Sequence, residues 1–249
     1  MNPILSVQGL SVQFGPLKAV NDVSFEARQG AITAVIGPNG AGKSSLFNLI
    51  SGAIRPTAGS VRFDGQDVTA QPPHRLLASG LSRSFQITNL FFDLSVRENL
   101  RLAAQFLEQG RGLLRPVQHS ATARRRVDEL LEQFDLDGKA DELAGYLSHG
   151  EQRRLEIAVS LASRPRMLLL DEPTQGMSHS DTHETEALIR RLSRDHGLTI
   201  LLVEHDVELV MNLSDHVVVM HQGQKLAEGR PAEVRANAAV QTAYFGEKT

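Results

Sequence analysis

The octet Gly37-Pro38-Asn39-Gly40-Ala41-Gly42-Lys43-Ser44 fits the pattern Gly-x-x-x-x-Gly-Lys-Ser/Thr and joins the apolar run Ile32–Ile36 to the apolar stretch Leu46–Ile50. A buried strand that enters a helix through a glycine-rich loop leaves few folds open. The glycines let backbone N–H groups turn inward around a phosphate chain, and the helix N-terminus adds its dipole to the same anion site. The pattern predicts that Lys43 reaches the β- and γ-phosphates of a nucleotide and that the Ser44 hydroxyl ligates Mg²⁺. Gly37, Pro38, Asn39, Gly40, Ala41, Gly42 and Ser45 complete the expected cradle. A plain glycine-rich turn is the weaker reading.

Met167-Leu168-Leu169-Leu170-Asp171-Glu172 supplies the other half of such a site. A buried parallel strand that ends in a carboxylate places that charge at the C-terminal edge of the sheet, beside the phosphate loop. Asp171 is expected to hold Mg²⁺ through its water shell, and Glu172 to orient or deprotonate the attacking water. Alone, four apolar residues followed by two acids would be an ordinary strand end. Paired with the loop, they read as catalytic.

The rest of the chain alternates short apolar runs with longer amphipathic stretches, which is an α/β signature. Strands are expected at Ile4 to Gln8, Ser11 to Phe14, Val23 to Ala27, Ile32 to Ile36, Met167 to Leu170, Thr199 to Val203 and Val217 to Met220. The middle, from about Leu94 to Arg164, reads as almost entirely helical. With 249 residues, 41% of them apolar, the chain has enough material for one large domain. A net charge of −3 gives no general attraction for nucleic acid or anionic lipid. The absence of cysteine excludes disulfides and cysteine-based zinc sites, and the expected compartment is a reducing cytoplasm. No apolar run approaches the roughly 18 residues of a membrane span, so the expectation is a chain neither exported nor membrane-spanning.

Three further motifs give a resemblance. Leu147-Ser148-His149-Gly150-Glu151-Gln152 resembles the LSGGQ signature of ATP-binding cassettes, Glu204-His205-Asp206 stands where that family carries its switch histidine, and Phe85-Gln86 resembles its Q-loop. The chain resembles in particular the importer ATPases of the branched-chain (hydrophobic) amino-acid type. The stretches that carry this are Ser84-Phe85-Gln86, Asn89-Leu90-Phe91, Val96 to Leu100, Gln152 to Ala158 and the C-terminal Ala243-Tyr244-Phe245-Gly246.

The resemblance implies a P-loop NTPase cassette with a RecA-like core, an antiparallel β subdomain and an inserted helical subdomain. It would form one domain over 1–249, with the helical insertion at about 87–165 and a short tail at about 231–249. The implied ligands are ATP and Mg²⁺. Two cassettes would pair head to tail, so that Ser148, Gly150 and Glu151 act in trans on the nucleotide of the other subunit. Gln86 would ligate the metal and sense the γ-phosphate, His205 would hold the γ-phosphate and position Glu172 or the water, and Phe14 would stack on adenine. A core aromatic in a β-sheet is the alternative for Phe14. Implied partners are a second cassette, itself or a paralogue, two polytopic permease subunits and, indirectly, a substrate-binding protein, with no nucleic acid. The implied place is peripheral, on the cytoplasmic face of the inner membrane. ATPases of urea or lipid transport, or a non-transport regulatory ATPase, stand as alternatives.

The sequence departs from the family pattern at His149 and Glu151 of the signature and at Ser178, where an aspartate is usual. An imidazole at 149 predicts pH-sensitive turnover if it approaches the trans phosphate. Arg111, Arg115, Arg124, Arg125 and Arg126 form a base-rich stretch. It reads as a solvated loop and helix face, or as a membrane-surface contact worth about 1 kcal/mol per basic residue.

Overall fold

The computed structural model describes residues 3–84, 90–107 and 120–245. Among these residues the backbone forms two sheets with helices around them. The smaller sheet is antiparallel, in the order β2 (Leu17–Arg28), β1 (Pro3–Phe14), β4 (Ala58–Phe63) and β5 (Gln66–Asp67). The expected break between Ile4 to Gln8 and Ser11 to Phe14 does not occur. Gly9 takes a left-handed φ of +57° at a register shift, and its N–H is caught by Ser24 Oγ at 2.8 Å, so β1 continues past it.

The larger sheet runs β10 (Gln224–Gly229), β9 (His216–His221), β3 (Ile32–Ile36), β8 (Thr199–Val203), β7 (Met167–Asp171) and β6 (Leu81–Arg83). All of these strands are parallel except β10, which pairs antiparallel with β9. Every residue of β3, β7 and β8 is buried, as expected of a parallel sheet covered on both faces. The period-2 alternation sorts their side chains into two cores. Ile32, Ala34, Ile36, Leu168, Leu170, Ile200 and Leu202 face the helices. Val35, Leu169, Leu201 and Val203 face the antiparallel sheet and α1 (Lys43–Ile50).

Helix α2 (Pro73–Ser79) leads into β6. Between β6 and β7 lie α3 (Val96–Ala104), α4 (Ala121–Gln133) and α5 (His149–Leu161), joined in part by 3₁₀ turns. Ser95 and Glu98 close a capping box on α3, and Ser120 caps α4. Val96, Leu100, Val127, Leu130, Leu131, Leu155 and Ala158 supply their buried stripe. After β7 come α6 (His179–Arg194), α7 (Val207–Leu213) and the C-terminal α8 (Pro231–Ala236) and α9 (Ala238–Phe245).

Candidate nucleotide site

The C-terminal ends of β3, β7 and β8 converge on one edge of the large sheet, and each hands over to a polar segment there. After β3 the chain turns through the glycine loop into α1. Two of its glycines are demanded by close approach. A Cβ on Gly37 would stand 2.3 Å from the Met220 carbonyl oxygen, and one on Gly42, whose φ is +96°, would stand 2.3 Å from that of Ala19. The loop is thus wedged between the end of β9 and the β1–β2 hairpin. Lys43 is buried, and its ammonium donates to the carbonyls of Gly37 at 2.7 Å and Pro38 at 3.1 Å. Burial lowers its pKa below the usual lysine range, against a raising pull from Glu172. Ser44 is exposed in the first turn of α1, while Ser45 is half-buried.

From β7 come two acids with different surroundings. Asp171 is only 1% exposed; its Oδ2 pairs with Arg83 at 2.7 Å, and its Oδ1 is buried with no hydrogen-bond partner among the described residues. A buried, orphaned carboxylate oxygen calls for a water or a cation. Among the described residues, no group of three or more acidic, imidazole or thiol side chains can hold a metal by itself. Mg²⁺ bound to phosphates and water needs only one or two protein oxygens, so Asp171 with Ser44 suits it. Glu172, also buried, takes a left-handed φ of +47°, and its N–H donates to Val203 O at 2.9 Å. Its Oε1 lies 2.5 Å from His205 Nε2, just past β8.

Glu204 connects the two strand ends. Its buried carboxylate accepts from the Thr174 N–H at 2.9 Å, the Thr174 hydroxyl at 2.7 Å and the His205 N–H at 3.1 Å. Sequence reasoning gave it no role, although an acid directly after a wholly apolar strand was the available signal. Tyr244 of α9 was also missed as a neighbour of the loop. Burial raises its phenol above the usual tyrosine range, while a backbone hydrogen bond from Gly37 pulls the other way.

Ser148 is the N-cap of α5. Its hydroxyl accepts from the Glu151 N–H at 3.4 Å, and the Glu151 carboxylate accepts from the Ser148 N–H at 2.8 Å and its hydroxyl at 2.9 Å. Lys139 approaches Glu151 to 2.8 Å. Partial burial pushes the Glu151 carboxyl up, but Lys139 and the Ser148 donors outweigh it and hold it down at about 2. Glu151 therefore closes the cap of its own helix. Ser148 and His149 are exposed, and a Cβ on Gly150 would come within 3.0 Å of Asp181 Oδ1. Ser178, where an aspartate was expected, caps α6 through Asp181, as either residue type does.

The remaining candidates separate. Phe14 is 50% exposed, which removes the core-aromatic alternative. Gln86, like Arg111 and Arg115, lies outside the described residues. In the base-rich stretch, Arg126 turns inward to Glu129 at 3.2 Å and the Leu161 carbonyl at 2.7 Å, and so is no surface contact. No helix among the described residues is long and apolar enough to cross a membrane.

A glycine loop running from β3 into α1 and two acids at the end of β7, all on one edge of a covered parallel sheet, define a phosphate-loop nucleotide-binding protein. Comparison with known proteins narrows the class. Residues 20–175 match the ABC transporter family, and residues 224–248 match the branched-chain amino acid ATP-binding cassette transporter family. The chain is 42% identical to the high-affinity branched-chain amino acid transport ATP-binding protein BraF of Pseudomonas aeruginosa, with 98% of each chain covered. It is 40% identical to LivG of Escherichia coli, a protein of the same description, again with 98% of each covered. A nucleotide-free ATP-binding cassette from an ABC transporter superposes with a TM-score of 0.87 at 32% identity, covering 99% of this chain and 100% of that one. The chain belongs to the ATP-binding proteins of ABC transporters, in their branched-chain amino-acid branch.

Proposed function

We propose that this protein is the Mg²⁺-dependent ATP-hydrolysing subunit of an importer for branched-chain or other hydrophobic amino acids. The observation that carries the chemistry is the Glu172–His205 pair beside the buried, half-satisfied Asp171. Lys43 and the loop amides from Asn39 through Ser45 stabilise phosphate charge, with Lys43 exchanging its carbonyl partners for phosphate oxygens. Ser44, Asp171 and Gln86 are the metal set. When bound, Mg²⁺ supplies charge neutralisation across the β- and γ-phosphates. Glu172 accepts a proton from, or orients, the water that attacks the γ-phosphorus, while ADP leaves on the opposite side. His205 fixes the Glu172 carboxylate, and Phe14 stacks on adenine.

We assign residues 1–249 to one cassette with a helical insertion at about 87–165 and a tail at about 231–249. Its partners are a second cassette, itself or a paralogue, two polytopic permeases and, through them, a substrate-binding protein, at the cytoplasmic face of the inner membrane. The exposed N-terminus of α5 supports a trans role for Ser148 and Gly150 on the second nucleotide, with Glu151 holding that terminus in shape. BraF and LivG, the relatives named for branched-chain amino acid transport, support the cargo.

Glu172→Gln tests the reading. The variant is expected to bind ATP and accumulate as a cassette dimer by gel filtration while hydrolysing at least about a hundredfold more slowly, the order of effect for a lost general base. Full hydrolysis would overturn the assignment of Glu172. Recovery of two polytopic proteins and a second cassette with the tagged chain from detergent-solubilised membranes is expected, and recovery of soluble partners alone would overturn the transport role.

A further inference from the structure

Arg83 is an unexpected residue at the end of β6, because Leu81 and Ser82 before it are both buried. Its guanidinium joins three elements. One nitrogen pairs with Asp171 Oδ2 at 2.7 Å at the end of β7. The other terminal nitrogen donates at 2.7 Å to both Asn48 Oδ1, in the last turn of α1, and Ser51 Oγ, which closes that helix. The guanidinium carbon also stands 5.9 Å from the centre of the Phe47 ring. The planar group is therefore locked before it meets the carboxylate.

A buried ion pair is by itself weak evidence of stabilisation, since apolar replacements often do as well. This pair has a second peculiarity. An arginine placed only to stabilise a carboxylate gains most by engaging both oxygens, yet Arg83 takes Oδ2 alone and leaves Oδ1 buried and unpartnered among the described residues. The geometry points to Arg83 as a positioning residue for the metal site: it grips Asp171 by one oxygen so that the other is kept for the hydration shell of Mg²⁺. Asn48 and Ser51 hold the arginine in that pose, so the carboxylate is registered to the same helix that carries Ser44. The inference rests on the reading of Asp171 as the metal carboxylate. Groups that orient a metal's ligands typically change metal affinity about 10- to 100-fold when removed.

The test uses the full chain on the Glu172→Gln background, so that nucleotide persists. A fluorescent ATP analogue is titrated first in EDTA and then with Mg²⁺. Arg83→Met, which keeps the apolar stem, is expected to raise the half-saturating Mg²⁺ about tenfold or more while leaving binding in EDTA unchanged. Asn48→Ala, which leaves Arg83 and Asp171 in place, is expected to move it the same way by less, and Arg83→Lys to recover part of the loss. Asp171→Asn is the control for the underlying reading. If Asp171→Asn shifts the Mg²⁺ requirement while the Arg83 and Asn48 variants do not, the positioning role is overturned and the metal reading stands. If none of them shifts it, both are overturned. An Arg83→Met chain that loses binding equally with and without Mg²⁺ would reduce Arg83 to a structural part and also overturn the proposal.

Discussion

Glu172 occupies a left-handed backbone conformation, which costs a non-glycine residue on the order of 1–3 kcal/mol and persists only where its surroundings overdetermine it. Those surroundings are visible on both sides of it. The Glu172 N–H is bonded to Val203, and two residues later the Thr174 N–H and hydroxyl are both held by Glu204. Glu204 also takes the N–H of His205, so one carboxylate ties down the backbone on each side of the Glu172–His205 contact. Replacing Glu204 with Ala leaves the part-buried Thr174 N–H and hydroxyl and the His205 N–H without their partner and empties a buried site, at a combined cost on the order of 1–3 kcal/mol. The expected outcome is a loss of about 2 kcal/mol or more by denaturant unfolding, and a fall in hydrolysis at saturating ATP with little change in nucleotide affinity. Unchanged stability and turnover would show that the loop holds itself.

At the scale of elements, the signals that local physics writes plainly were legible in the sequence. The continuous apolar runs Ile32–Ile36, Met167 to Leu170 and Thr199–Val203 could only be covered strands, and the glycine loop required a helix after the first of them. The weak elements were not legible. Strand β4 exposes Ala58, Gly59 and Arg62, β6 spans Leu81–Arg83 alone, and the edge strand β10 has no fully buried residue, so each is held by its neighbours and not by its own pattern. The site divides in the same way. Lys43, Asp171 and Glu172 follow from motif and strand ends, whereas Arg83 and Glu204 act through partners distant in sequence, which no spacing rule reveals.

Helix α5 adds an element whose cap is electrostatic. The Glu151 carboxyl is depressed in the folded chain, to about 2 from the ordinary 4.5, so its stabilising contribution is complete above about pH 4.5 and is lost as the pH falls towards 2. Glu151→Gln retains the capping-box hydrogen bonds but removes the attraction to Lys139. Denaturant unfolding at a series of pH values is expected to find the wild type more stable by a constant margin of about 1 kcal/mol at neutral pH. That margin should shrink to nothing between pH 4.5 and 2. A margin independent of pH would mean that Lys139 contributes nothing to the cap.

On the scale of the molecule, the large sheet separates two cores and leaves its C-terminal edge as the place where loop, acids and histidine meet. The Ser148 terminus begins α5, one of the helices between β6 and β7, and no hydrogen bond joins it to Gly37, Asp171 or Glu172 among the described residues. A helix start whose donors are engaged by its own Glu151 carboxylate but by no group of its own subunit's phosphate site is suited to serving the nucleotide of a neighbour. Ser148→Arg puts bulk and loses the cap at that terminus without touching the subunit's own phosphate loop. The isolated variant is therefore expected to bind ATP as the wild type does, by titration with a fluorescent analogue. Once assembled with its partner cassette and permeases, it should lose hydrolysis about tenfold or more, the scale of losing a preorganised donor to phosphate charge. A drop in ATP affinity in the isolated chain would instead place Ser148 on its own nucleotide, and the head-to-tail arrangement would have to be abandoned.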